Sequence, residues 1–299
     1  MARTHDPRGV ILAQAQLAAA MALVGANVVV AKLLAEALPI ALLVCLRCAI
    51  ACLVLWPLAR AVDGPLRRPD GTALRNLALQ AAFGTALYNA GLLAGLRLTS
   101  ALEAGLVLAT LPAVVALGAA WWLRERLAPR HWAAAALAAG GMAVVTLARL
   151  GDAPDGSALG NLLVFGGVCG EAVYVLLAKR LGSRVPVLTA SLWMQLCSTA
   201  MLLPFALPNA AAVSALADPA LAGLLLFHSL TASVLCLLLW YAGLRRVPAG
   251  TAGVFTMFLP ATAAVMAVAV LGEAFTATHA MGFALLAGSL LLATWPVRR

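Results

Sequence analysis

Charge is what this sequence has least of. Only 10% of its 299 residues are Asp, Glu, Lys or Arg, and just 11 are acidic. Aromatic residues make up 6%, with three tyrosines, and there are four histidines. A soluble domain carries about a quarter charged residues and at most about half apolar ones. This chain is 64% hydrophobic, with a mean hydropathy of +1.00. Such a composition cannot be hidden inside a water-soluble shape. It excludes a soluble enzyme, a disordered tail and a nucleic-acid-binding domain, in spite of a formal charge of +9.

Several motifs are missing as well. There is no G-x-x-x-x-G-K-[ST] loop, so ATP is not the direct energy source. Neither H-E-x-x-H nor G-x-S-x-G occurs, which argues against an intramembrane hydrolase. The six cysteines (Cys45, Cys48, Cys52, Cys169, Cys197 and Cys236) all fall in apolar stretches, unlike a secreted disulfide framework. Cys45-Leu46-Arg47-Cys48 has C-x-x-C form but no neighbouring His or Cys to complete a metal site. We read these thiols as small packing residues. No catalytic group, metal or cofactor is expected.

What is present is apolar length. A membrane helix needs about 20 mostly apolar residues. Ten segments qualify: 10–32, 40–58, 76–96, 101–122, 131–148, 160–178, 187–206, 220–241, 250–271 and 278–296. The first is too long for a signal peptide and lacks an A-x-A-like cleavage site, so it is read as retained. The connectors then set the orientation. Arg60, Arg67, Arg68 and Arg75; Arg124, Arg126 and Arg130; Lys179, Arg180 and Arg184; Arg245 and Arg246; and Arg3, Arg8, Arg298 and Arg299 in the tails all fall on one side. Those sixteen face only Lys32, Arg97 and Arg149 on the other, while Arg47 lies within a span. Basic residues in short loops stay cytoplasmic. Both termini are therefore expected in the cytoplasm of a bacterial cell, with the chain threaded repeatedly through the inner membrane.

The chain also repeats itself. At an offset of 147, Ala31-Lys32 matches Ala178-Lys179, Pro39 matches Pro186 and Pro57 matches Pro204. One residue later in register, Ala94-Gly95-Leu96-Arg97 matches Ala242-Gly243-Leu244-Arg245, Pro112 matches Pro260, and Glu125 matches Glu273. Ordered prolines, glycines and glutamates outweigh chance matches among Ala and Leu. Each half (10–148 and 159–296) holds five spans, and an odd number makes the second half enter from the opposite side. The fold class expected is all-α and membrane-embedded: ten transmembrane helices as two inverted five-helix repeats around a central cavity. Inverted repeats supply two related packings that expose one site to each side in turn.

At this point the chain resembles the drug/metabolite transporter superfamily, in particular its EamA-type ten-helix branch, over about residues 10–295. The resemblance rests on Arg47, on LEAGLVLATLPAVVALGAAWWLRERL (102–127), on its partner TAGVFTMFLPATAAVMAVAVLGEAF (251–275), and on HWAAAALAAGGMAVV (131–145). It implies a basket-like bundle and often the export of amino acids or related metabolites. It does not select a cargo.

Candidate pathway residues follow from position. Gln80, Gly84, Tyr88, Gly91 and Gly95 form one stripe of span 3, and His228 is the repeat equivalent of Gln80. Asn27 and Tyr174 are equivalent too. All four polar groups either line the cavity or bond neighbouring helices. Trp240, with Trp193 and Tyr241, could stack on an apolar part of a substrate, whereas Trp121, Trp122 and Trp295 suit the membrane boundary. A central Arg costs about 2.5–3.5 kcal/mol on insertion scales, so Arg47 must face a wet cavity or a partner. It either grips a substrate carboxylate or bonds carbonyls to fix the bundle. Glu171 is mid-span, where burial disfavours a charged carboxylate. It is the proton-coupling candidate, the alternatives being an ion pair with Arg47 or a neutral hydrogen-bonded acid. Pro112 and Pro260 are read as kinks or gates, since each strips a hydrogen bond from the carbonyl four residues earlier. Glu125 and Glu273 fall at span ends and suit capping.

The expected function is secondary transport, the export of amino acids or similar small metabolites by alternating access, with protons as a candidate partner, in a monomer or homodimer. A transporter of nucleotide sugars or phosphorylated sugars is the nearer alternative, although Arg47 is the sole central cation. A membrane enzyme acting on lipid-like substrates, or a passive channel, fits less well.

Overall fold

The computed structural model describes residues 7–122, 124, 129–148, 157–181, 184–244, 246 and 255–294. Every element among them is helical. In chain order, α1 is Pro7–Ala37, α2 Ile40–Val62, α3 Gly71–Leu96, α4 Ala101–Trp122, α5 Pro129–Ala148, α6 Ser157–Leu181 and α7 Val187–Ala206. The next helix, α8, runs from Pro219–Leu230 through Thr231–Leu235 to Cys236–Leu244; α9 is Phe255–Leu271 and α10 Ala277–Thr294. Among the described residues seven helices are long and apolar enough to cross a membrane, and α9 and α10 are shorter apolar ones. The remaining helix, α5, has 20 residues.

Local chemistry explains the boundaries. Pro39 and Pro186, 147 residues apart, stand at the N-caps of α2 and α7, and a proline disfavours helix in the residue before it. Asp70 and Asp218, 148 apart, cap α3 and α8: their carboxylates accept from Ala73 N at 2.8 Å and Ala220 N at 2.9 Å. The helix α1 extends to Ala37, beyond the expected end at 32, because nothing breaks it before Pro39. Asp70 likewise moves the start of α3 back to Gly71. The connector before α8 is a 3-10 helix, Leu207–Ala217, rather than plain loop. Residues 250–254, Arg3, Glu125, Arg126, Arg149, Arg245, Trp295, Arg298, Arg299 and the side chain of Arg8 lie outside the described residues.

The packing displays the duplication. The first helix, α1, packs on α8 and α9, and its counterpart α6 packs on α3 and α4. Three pairs map onto themselves: α2 with α7, α4 with α9, and α5 with α10. Each self-pair is antiparallel. Asp63, just after α2, accepts from Thr189 N near the start of α7 at 2.8 Å. Ser289, late in α10, donates to Ala134 O, early in α5, at 2.6 Å. Equivalent helices thus run in opposite directions, which is what an inverted repeat requires.

Close approach at the two symmetric crossings depends on glycine. A Cβ on Gly95 of α3 would sit 2.7 Å from Gly160 O of α6, and one on Gly243 of α8 would sit 2.8 Å from Ala13 O of α1. Gly91 is as tight, 2.6 Å from Leu163 O. Gly91-x-x-x-Gly95 is therefore used within the chain. Gly91→Ala should destabilise the protein by about 1–3 kcal/mol, as overpacking against backbone does. Gly140→Ala, with nothing within 4 Å of its would-be Cβ, should be neutral or slightly stabilising. Thermal melts of both variants in detergent check the opposite signs.

Candidate functional site: a central cavity between the repeats

Two helices widen in mid-membrane. Ala81–Leu87 of α3 and Thr231–Leu235 of α8 are π-helical, and residues 83–87 correspond to 231–235 at the repeat offset. Such segments turn side chains off the regular 3.6-residue stripe and recur at functional sites. Here Gly84, Thr85, Ala232 and Ser233 from these segments line a cavity of about 330 Å³. Nothing in the residue spacing signals the widening, so the sequence stripe misses Thr85, Asn89 and Ser233, which face this space together with Ser191 and Gln195 of α7.

Seven of the residues singled out from sequence line the cavity: Asn27, Arg47, Tyr88, Glu171, Tyr174, His228 and Trp240. Gln80 does not. It lines a neighbouring pocket of about 70 Å³ that shares Tyr174, Ser191, Met194 and Leu237 with the main space. Trp193 packs instead with Ala73, Leu77, Leu181 and Val185. Tyr241 is in the small pocket with Gln80. Trp121 is 87% exposed, as a boundary residue would be.

Arg47 is underused by the protein. Among the described residues it makes one long hydrogen bond, Nη1 to Ser233 Oγ at 3.4 Å, and its Nε is buried without a partner. Gln195 Oε1 is also buried and unpartnered. Among the described residues Arg47 and Glu171 form no ion pair, and the Glu171 carboxyl has no hydrogen bond. Buried polar atoms are normally satisfied, and a guanidinium with open donors suits a carboxylate.

Asn27 and His228 bind each other. The Asn27 amide donates from Nδ2 to Leu23 O at 2.8 Å and to Thr231 Oγ1 at 2.9 Å. Its Oδ1 lies 2.7 Å from His228 Nδ1. With the amide so oriented, the neutral imidazole carries its proton on Nδ1, leaving Nε2 as an acceptor. The repeat-related couple, Tyr174 and Gln80, both line the small pocket. Gln80 Nε2 donates to Asn76 Oδ1 at 2.6 Å.

A second cavity, about 530 Å³, adjoins the first and shares Met21, Val24, Tyr88 and Glu171 with it. Its other walls come from α4, α9 and α10, with Val168 of α6, and are apolar except for Thr256. Pro112 and Pro260 both line it, as do Leu108 and Thr256, whose carbonyls those prolines cannot serve. Here α4 breaks at Ala109–Thr110, and α9 starts with a 3-10 turn, Phe255–Met257.

One end of the bundle is sealed. All eight residues of Ala101–Leu108 in α4 are buried. Gly272, at φ +67°, ends α9 in the left-handed conformation that suits glycine, and Glu273 follows it. The Glu273 carboxylate accepts from Ala101 N at 2.8 Å and Leu102 N at 2.9 Å, and pairs with Lys32 Nζ at 3.0 Å. This is the capping position suggested by the sequence. Beneath it Glu103, 1% exposed, accepts from Thr99 Oγ1 at 3.0 Å and Asn161 Nδ2 at 2.8 Å. His279 Nε2 lies 4.0 Å from the other Glu103 oxygen. Glu273→Ala removes the cap and the partner of Lys32. In a cysteine-free background it should speed alkylation of a Cys placed at Thr99 about tenfold and lower Tm. An unchanged labelling rate would sink the idea that this contact holds the end shut.

The comparisons agree with this architecture. The profile of the EamA-like transporter family matches residues 8–147 and again 158–295. The uncharacterized transporter YetK of Bacillus subtilis (strain 168) is 32% identical over 283 residues, covering 94% of this chain and 86% of that protein. A solved crystal structure with 22% identity superposes at a TM-score of 0.62 over 93% of this chain and 94% of its own, a likeness of fold. A double match to one transporter profile, on an inverted helical repeat with a cavity at its centre, makes the chain a multi-pass membrane transporter of the EamA-like transporter family, within the drug/metabolite transporter superfamily.

Proposed function

We propose that the protein exports amino acids, or similar small zwitterions with an apolar side chain, by alternating access. The observation that carries this reading is the placing of Arg47 and Glu171 on one cavity without an ion pair between them, beside an apolar chamber. Arg47 would take the substrate carboxylate, its open Nε–H and Nη–H groups supplying paired donors. Asn27, Tyr88, Tyr174 and His228 Nε2 offer further hydrogen-bond partners, and Trp240 an aromatic wall. The side chain would enter the chamber between Pro112 and Pro260. Arg47 is the one Lys or Arg side chain lining either cavity among the described residues. That disfavours nucleotide sugars and sugar phosphates, whose charges need several cations.

In this reading the two five-helix repeats, 10–148 and 159–296, tip about the central site. The Lys32–Glu273 end is the closed gate, and Pro112 and Pro260 are the yielding points. The basic end faces the cytoplasm of a bacterial inner membrane, with both termini there, in a monomer or homodimer. Glu171 carries the coupled proton, since it lines the cavity and makes no hydrogen bond or ion pair among the described residues.

Counterflow in proteoliposomes tests the reading. Saturable exchange of amino acids with apolar side chains is expected, while nucleotide sugars give none. Arg47→Gln should weaken half-saturation about 10- to 100-fold, the loss of a charged hydrogen-bonded contact worth about 1.5–3 kcal/mol. Glu171→Gln should retain counterflow but lose accumulation driven by an imposed pH gradient. Gradient-driven accumulation undiminished in that variant removes Glu171 from the proton path.

A further inference from the structure

Away from the central cavity, a groove of about 590 Å³ runs between α3, α4 and α6 at the basic end of the bundle. Its composition changes with depth. Thr72, Arg75 and Asn76, from the first turns of α3, and Arg180, from the last turn of α6, occupy its outer part. Leu79, Phe83, Val173 and Leu177 line its inner part. At 1.5 Å per residue, Arg75 to Phe83 spans about 12 Å of depth, and Arg180 back to Val173 about 10 Å. Trp121 and Trp122 of α4 form the third wall.

Among the described residues the two guanidiniums have no acidic partner. Among the described residues neither Arg75 nor Arg180 makes an ion pair or hydrogen bond. Arg180 instead lies over the Trp122 ring, 4.4 Å from its centroid, a cation–π contact that holds the charge at the groove. Asn76 is already committed, donating to Leu177 O at 3.2 Å and accepting from Gln80. Two open positive charges thus stand above an apolar slot, at the depth where tryptophans mark the membrane interface.

We propose that this groove binds one anionic phospholipid, its phosphate between Arg75 and Arg180 and an acyl chain along Leu79, Phe83 and Val173. Basic pockets between transmembrane helices take acidic headgroups in this way. A free phosphate would use the arginines and leave the apolar slot without a role. A zwitterionic lipid would fill the slot with its phosphate charge offset by its own ammonium. The bound lipid would also tie α3 to α6 at the crossing that carries Gln80 and Tyr174. This site is independent of the cargo.

The test uses the full-length protein in neutral detergent. Tm is measured with phosphatidylglycerol, phosphatidylcholine or inorganic phosphate added, and native mass spectrometry counts retained lipid. Phosphatidylglycerol is expected to raise Tm by several degrees more than phosphatidylcholine, and phosphate alone to do nothing. R75Q and R180Q should each lose part of that advantage and the double variant all of it. R75K/R180K should keep most of it, and R60Q, a loss of charge elsewhere on the surface, all of it. Equal stabilisation by both lipids, an equal effect of phosphate, or an undiminished phosphatidylglycerol advantage in R75Q and R180Q overturns the proposal.

Discussion

In hydrocarbon a backbone N–H or C=O must find its partner inside the protein, because no water is there to supply one. Much of this structure follows from that constraint. The irregular backbone of the spans is concentrated at Ala81–Leu87, at Thr231–Leu235, at Ala109–Thr110 before Pro112, and at Phe255–Met257 before Pro260. These are the places that border the two cavities. A break facing lipid would strand its carbonyls, whereas one facing a cavity can be served by side chains, water or cargo. The same need explains the sealed end, where Glu273 supplies acceptors to the first amides of α4, and Arg97 donates to Ala35 O at 2.8 Å and Leu38 O at 2.9 Å after α1.

The scaffold is symmetric but its chemistry is not. At the repeat offset Arg47 corresponds to Met194, and Glu171 to Val24, all four lining the central cavity. The duplication provides two equivalent helix crossings, each held by glycines at the closest approach. Divergence of single residues then gives the cavity one cation and one carboxyl, rather than two of each. Two copies of each charge in so small a space would repel or pair off among themselves. With one of each, Arg47 and Glu171 form no ion pair with each other.

The exceptions to the charge bias follow the same logic. Lys32 and Arg97 break the rule that places basic residues at the opposite end, yet neither is a free surface charge. Lys32 is bound to Glu273 and to Thr99 O at 3.2 Å, and Arg97 to the carbonyls ending α1. Arg75 and Arg180, at the basic end, have no such partners among the described residues. Lys32 and Arg97, at the sparse end, thus both have structural duties.

The sequence alone determined the number of helices, their positions to within about five residues, the duplication and its inversion. These depend on runs of apolar residues, on prolines and on an odd count of spans, all of which are local or periodic properties. It also pointed to Arg47, Glu171, His228 and Asn27, since a polar group in the middle of an apolar helix needs a reason to be there. Only the tertiary structure decided what each of them meets. The π segments shift the cavity-facing positions of α3 and α8 by an amount no 3.6-residue period contains, so Thr85, Asn89 and Ser233 face the cavity while Gln80 falls into a side pocket. The pairing of Asn27 with His228, and of Glu273 with the start of α4, joins residues roughly two hundred positions apart. Such contacts are fixed by how helices cross, which depends on where glycines let backbones touch and not on the pattern within any one span.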